Sequence, residues 1–193
     1  MKLMKYNPNN HDRRSTRLKG FDYSQPGKYF VTICTFDREC LFGEIAGQEM
    51  RLNEMGKVVQ EEWLKTKDVR SNVDLDKFVV MPNHIHGILI IKGVNVGATC
   101  RVAPTKNNPP HSLQSGSLGA IIGQFKSVAA KRINRIQGIG VPVWQRGFHD
   151  RIIRNEQDLN RFRKYIQDNA ANWHDDEENP GTEKKNKSEH RVI

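Results

Sequence analysis

The sequence predicts an α+β fold in which helices cover one face of a small antiparallel sheet. Two observations predict it. Strand-like and helix-like runs alternate in the order strand, helix, strand, strand, helix, helix. The two adjoining strands meet at a Pro82-Asn83 turn signal, so they form a hairpin. With 193 residues, one domain with tails is expected.

Taken in order, Tyr29 to Thr35 is rich in aromatic and β-branched residues and reads as a strand after Gly27. Gly43 and Gly47 break the pattern. Asn53 reads as the N-cap of a helix over 54–67, with Met55, Val58, Val59 and Trp63 at helical spacing. Val73 to Met81 and His84 to Ile91 are the hairpin strands. Residues 93–118 are rich in Gly, Pro, Ser, Asn and Thr and read as a long loop or flexible insertion. A second helix is expected over 118–136, with Phe125, Val128, Ala129 and Ile133 on one face, ended by Gly138 and Gly140. A third is capped by Asn155 and runs to about Asn172, with Leu159, Phe162, Ile166 and Ala170 as its stripe. The charged segment 174–193 has the composition of a disordered tail. The domain is therefore placed at 21–173.

Charge narrows the function classes. The formal net charge is +9, which favours a polyanionic partner, nucleic acid being the commonest. Residues 1–20 form a basic arm, with Lys2, Lys5, Arg13, Arg14, Arg17 and Lys19 against Asp12. The three cysteines, Cys34, Cys40 and Cys100, show no C-x-x-C spacing, so neither a zinc ribbon nor a redox pair is signalled. No apolar run is long enough for a membrane span or a secretion signal. A cytoplasmic, nucleic-acid-associated protein is the expectation.

Met81-Pro82-Asn83-His84-Ile85-His86-Gly87-Ile88 carries the chemistry. In a strand, residues i and i+2 share a face, so His84 and His86 project side by side and can ligate one divalent metal. The same spacing also suits two histidines satisfied by hydrogen bonds at a strand end. On the third helix, Tyr165 and Asn169 are one turn apart on one face. Asn169 can give an amide oxygen to Mg²⁺ or Mn²⁺; it can equally be a helix C-cap. Tyr165 can be a nucleophile beside such an ion, or an ordinary half-buried helix tyrosine.

Further motifs extend the pattern. They are Arg13-Arg14-Ser15 with Tyr29-Phe30-Val31-Thr32-Ile33, then Val80 through His86, then Phe125-Lys126-Ser127. Trp144-Gln145-Arg146 with Asp150 through Asn155 follows, and Tyr165-Ile166-Gln167-Asp168-Asn169 closes the series. In this order and spacing the chain resembles the single-tyrosine transposases named for a His-hydrophobe-His (HUH) motif, in particular the REP-associated tyrosine transposases and their insertion-sequence relatives. The resemblance implies a ferredoxin-like (RRM-like) sheet, His84, His86 and Asn169 as metal ligands, and Tyr165 as nucleophile. It implies cleavage and rejoining of single-stranded DNA hairpins beside a guide sequence, through a 5′-phosphotyrosine, by a monomer or homodimer. Arg13, Arg14, Arg17, Lys126, Arg146, Arg154 and Lys164 are the candidate DNA contacts. Three features depart from the family pattern: Asn169-Ala170 where many relatives have Asn-Pro, Arg151 where some have histidine, and the long connector. Two other functions remain open from sequence. One is an RRM-like protein that binds single strands without cutting; the other is a metal-dependent hydrolase that uses water.

Overall fold

The computed structural model describes Leu18 and residues 21–93 and 115–181. Arg13, Arg14 and Arg17, most of the predicted connector and the end of the predicted tail lie outside these residues.

Strand β1 (Gly27–Cys34) leads through a short 3₁₀ turn to a hairpin, β2 (Gly43–Ala46) and β3 (Glu49–Leu52). Helix α1 (Glu54–Asp68) follows, then β4 (Val73–Val80), β5 (His84–Ile91), α2 (Leu118–Gln137), β6 (His149–Ile153) and α3 (Glu156–Asp168). A last 3₁₀ turn spans Trp173–Asp175. Strands β4, β5, β1 and β6 form one antiparallel sheet in that spatial order. With α1 and α2 as the crossovers, this is the β-α-β-β-α-β arrangement of ferredoxin-like folds, the fold class expected from the sequence.

Caps set the helix limits. Asn53 accepts from the Gly56 amide at 2.9 Å, and Asn155 accepts from the Asp158 amide at 2.8 Å, each satisfying one amide that the first turn leaves free. Gly138 ends α2 in the left-handed conformation, φ 67°, which glycine adopts without a Cβ clash.

The sheet has two covered faces. On one, Tyr29, Val31, Ile33, Ile85 and Leu89 pack against Val58, Val59 and Trp63 of α1 and Ile122, Phe125, Ala129 and Ile133 of α2. On the other, Phe30, Ile88 and Ile153 pack against Leu159 and Ile166 of α3, with Phe162 beside them. The expectation that all helices share one face is thus corrected for α3. The reason is visible in β5: His84, Ile85, His86, Gly87 and Ile88 are all buried, so both faces of that strand need cover. Val128, expected on the buried side of α2, is exposed, and Leu118, Ile121 and Ile122 fill that side instead.

Two strand regions escaped the sequence reading, the β2–β3 hairpin and β6. Both are short, and β6 (His-Asp-Arg-Ile-Ile) carries adjacent charges, so neither shows a clean alternation of apolar and polar residues. Without β6 the sheet has no fourth strand, and the layer under α3 lacks Ile153.

Candidate metal centre and nucleophile

His84 and His86 stand on the α3 face of β5, opposite Cys34 and Thr32 of β1. Each ring is held by its Nδ1. Asn83 Oδ1 lies 2.9 Å from His84 Nδ1, and Thr32 Oγ1 lies 2.9 Å from His86 Nδ1. The Asn83 oxygen only accepts, so it selects the His84 tautomer whose Nε2 has a free lone pair, the form that ligates metals, and the Thr32 hydroxyl does the same for His86 when it accepts. Asn83 is itself fixed, because its amide donates to the Arg38 carbonyl at 3.1 Å and the Glu178 carbonyl at 2.6 Å. Asn83→Ala is therefore expected to weaken divalent-metal binding by about 10- to 100-fold, as loss of an outer-shell partner does elsewhere. Calorimetric titration with Mn²⁺ checks it; unchanged affinity would remove Asn83 from the site.

Helix α3 brings up the other two predicted residues. The Tyr165 hydroxyl lies 3.3 Å from His86 Nε2, and its ring meets the His86 ring at a centroid distance of 5.1 Å. One turn on, Asn169 is buried at the helix end. Its Nδ2 donates to Asp176 Oδ2 at 2.9 Å. This leaves Asn169 Oδ1 and His84 Nε2 buried with no hydrogen-bond partner. Two unsatisfied buried acceptors cost about 1–3 kcal/mol each, and a cation between them would satisfy both.

The structure adds Asp176. Donor atoms of His84, His86 and Asp176 lie within 4.8 Å of one another, all three residues buried. The cluster can hold a metal ion. Asp176 was missed because the sequence reading placed 174 onward in the charged tail. Residues 174–181 instead continue past Trp173, whose ring sits 6.0 Å from that of His84. Arg38 ties this segment down, donating to the Glu177 carbonyl at 2.9 Å and pairing with Glu178 at 3.0 Å. Trp173 is the one sequence signal of packing there: a large apolar ring in otherwise polar sequence.

Burial sets the protonation of the site. Desolvation pulls the His84 imidazole down to about 4, with the Asp176 carboxylate and Asn169 opposing it. Desolvation, then the neighbouring His84, hold His86 well below its ordinary value. Desolvation chiefly, then the charge of Asp176, push the Tyr165 phenol up to about 12, with Asn169 opposing them.

These shifts predict acid sensitivity of the metal-free protein. The unfolded chain takes up the His84 proton near pH 6.5, and the folded chain only near 4. Stability is then complete above about pH 6.5 and lost progressively below it. The loss from His84 alone is about 2 kcal/mol between pH 7.5 and 5, a fall of roughly 4–8 °C in melting temperature. Melting curves in chelator check this, and a midpoint that holds steady to pH 5 contradicts neutral burial.

The candidate DNA contacts are scattered. Arg154 and Arg146 are exposed. Lys164 is exposed and pairs with Asp168 at 2.8 Å. Lys126 donates to the carbonyls of Gln145 at 2.6 Å and Gly147 at 2.7 Å, and burial lowers its ammonium to about 8; it anchors the loop before β6. On α2, Arg132 bridges to Glu61 at 2.8 Å, on the sheet face opposite the histidines.

An uncharacterized protein of Haemophilus influenzae is 37% identical to this chain over 174 residues, spanning 90% of this chain and 96% of that protein. The two proteins belong to one family. No protein-family model matches the chain. Among solved structures, the fold is similar to that of a REP-associated tyrosine transposase bound to a REP hairpin, with TM-score 0.49, 17% identity, and 80% of this chain and 70% of that one covered. It is similar also to a proposed transposase of Deinococcus radiodurans, with TM-score 0.43, 14% identity, and 78% and 96% covered. No helix among the described residues is long and apolar enough to cross a membrane.

Proposed function

We propose that this protein is a metal-dependent, single-tyrosine transposase of the REP-associated type that cuts and rejoins single-stranded DNA hairpins. One observation carries the reading. A half-exposed phenol stands 3.3 Å from a buried imidazole, beside two buried acceptor atoms that have no partner. A purely structural His pair would be expected to satisfy its own lone pairs.

His84, His86, Asn169 and Asp176 would hold Mg²⁺ or Mn²⁺, a mixed nitrogen and oxygen set suited to such ions. The ion would supply Lewis acidity to a non-bridging oxygen of the scissile phosphate. Tyr165 does the covalent work. Its oxygen forms a bond to phosphorus, the bond from phosphorus to the 3′ oxygen breaks, and the departing 3′ oxygen takes up a proton. The phenolic proton leaves to water at the open side of the ring, which is 45% exposed. The 5′ end stays on the protein as a phosphotyrosine. Attack by a 3′-hydroxyl on that ester reverses these steps and joins strands, one phosphate ester exchanged for another, with no ATP. Because Tyr165 reaches His86 of its own chain, a monomer holds a full set of catalytic groups.

The test uses hairpin DNA from the flanks of the gene. With Mn²⁺ or Mg²⁺, the protein is expected to yield a protein–DNA band that survives denaturation, and chelator is expected to prevent it. Strand binding that ignores chelator and leaves no covalent product on any hairpin supports the non-cutting RRM-like reading instead.

A further inference from the structure

Arg38 closes the 3₁₀ turn Phe36–Arg38 that follows β1, in a backbone conformation that arginine rarely adopts. Asp37 and Arg38 both have positive φ, 50° and 58°. Left-handed residues other than glycine are strained, and two in succession persist where the surroundings fix them. Here the turn is fixed on both sides. The Thr35 amide donates to the Asn83 carbonyl at 2.8 Å, and the Thr35 hydroxyl lies 2.8 Å from the Glu39 carbonyl. The Phe36 amide donates to the Val143 carbonyl at 2.9 Å.

The strained turn brings Arg38 to two parts of the metal centre at once. Its carbonyl accepts from Asn83 Nδ2 at 3.1 Å, and Asn83 Oδ1 faces His84 Nδ1 at 2.9 Å. Its guanidinium donates to the Glu177 carbonyl at 2.9 Å and pairs with the Glu178 carboxylate at 3.0 Å. These are the two residues that follow Asp176. Asn83 closes the ring of contacts by donating to the Glu178 carbonyl at 2.6 Å.

The grip extends to the Asp176 side chain. Asp176 Oδ1 accepts from the Glu178 amide at 2.7 Å, and Oδ2 accepts from Asn169. Holding Glu178 therefore holds one oxygen of the buried carboxylate. A lone ion pair at a surface contributes little, and the Arg38 side chain is 39% exposed. Two features set this pair apart. Glu178 is only 15% exposed, so solvent screens it less. The guanidinium fork also binds two consecutive residues, which fixes the orientation of the segment as well as its position.

We infer that Arg38 is a positioning residue that holds Asp176 in place against His84 and so sets the shape of the metal centre. Its carbonyl serves His84 and its side chain serves Asp176, so one residue fixes the spacing of two groups carried by separate segments. Arg38 acts through Asn83 and Glu178 and is not itself a proposed ligand. The inference rests on the metal centre of the proposed function.

The test uses the full protein and the variant Arg38→Ala. Alanine meets the same steric objection to positive φ as arginine, so the change removes the guanidinium and leaves the demands on the turn as they were. In chelator, the amides of Asp176 and Glu178 are expected to exchange with deuterium about tenfold faster in R38A. Calorimetric titration with Mn²⁺ is expected to show about tenfold weaker binding. The deciding comparison is with Asp176→Asn. A residue that works through Asp176 adds nothing once Asp176 is changed, so R38A/D176N is expected to bind Mn²⁺ as D176N does. Glu178→Gln removes only the ionic half of the grip, which keeps the test open should R38A not fold. It is expected to weaken binding by about threefold, again with no effect in the D176N background. Parental affinity and exchange in both single variants overturn the inference, and so does a full additional loss in R38A/D176N. The readings separate cleanly. If the parent binds Mn²⁺ and R38A binds it equally well, the role of Arg38 falls and the transposase reading stands. If R38A loses affinity through Asp176 but the parent forms no covalent band with any hairpin, the role stands and the nuclease reading falls. A parent that binds no Mn²⁺ overturns both.

Discussion

Tyr165→Phe is expected to form no covalent product with hairpin DNA while binding Mn²⁺ as tightly as the parent protein. The change removes one oxygen and keeps the ring, which meets Phe30 edge-on at 5.9 Å. The lost hydrogen bond, to His86 at 3.3 Å, is long and partly open to water, so the stability cost is about 1 kcal/mol or less. The proposed ligand set keeps all four members, since the phenol is not one of them. Cleavage, by contrast, loses its nucleophile, and the rate should fall by at least about four orders of magnitude. His86→Ala separates the two roles in the opposite direction, losing metal binding and cleavage together. Quantitative denaturing gels paired with metal titration read both. Cleavage by the phenylalanine variant at the parental rate would sink Tyr165 as the attacking group and favour a metal-activated water, the hydrolase reading.

The parts of this site that sequence disclosed are those where one local rule decides the geometry. His84 and His86 share a face because strand periodicity is two, and the Pro82-Asn83 turn marks where that strand starts. Tyr165 and Asn169 share a face because helix periodicity is 3.6, and the Asn155 cap sets the helix in phase. What stayed hidden depends on packing between distant segments. The side of the sheet that α3 takes is decided by Phe30, Ile88 and Ile153 together, three residues from three strands, one of them the unrecognised β6. Asp176 reaches the histidines through Arg38, Asn83 and Asn169, contacts that no periodicity encodes. Lys126, a candidate DNA contact by charge and motif, also donates to two carbonyls 19 and 21 residues away in the chain, contacts of the same kind.

Gly87→Ala is expected to cost the protein both stability and metal affinity, although it adds a single methyl group to a residue that touches no ligand. Gly87 lies between His86 and Ile88 of β5 and faces α1. A Cβ there would run into the six-membered ring of Trp63. Trp63 is fully buried and meets Phe125 edge-on at 5.3 Å, so the indole has nowhere to go. The opposing effect is small: restricting the unfolded chain by replacing glycine gains about 0.4–1 kcal/mol. Overpacking a filled core costs about 1–3 kcal/mol, so destabilisation wins, with a fall of roughly 2–8 °C in melting temperature after the opposing gain. The strain has one outlet. Strand β5 must shift toward α3, carrying both imidazoles away from their set positions against Asn83 and Thr32, and Mn²⁺ affinity falls with it. Adding Trp63→Phe shortens the obstructing ring and should restore affinity in the double variant even if stability stays low. If Gly87→Ala instead melts at or above the parental temperature, the close fit between strand and indole is not what seats the histidines.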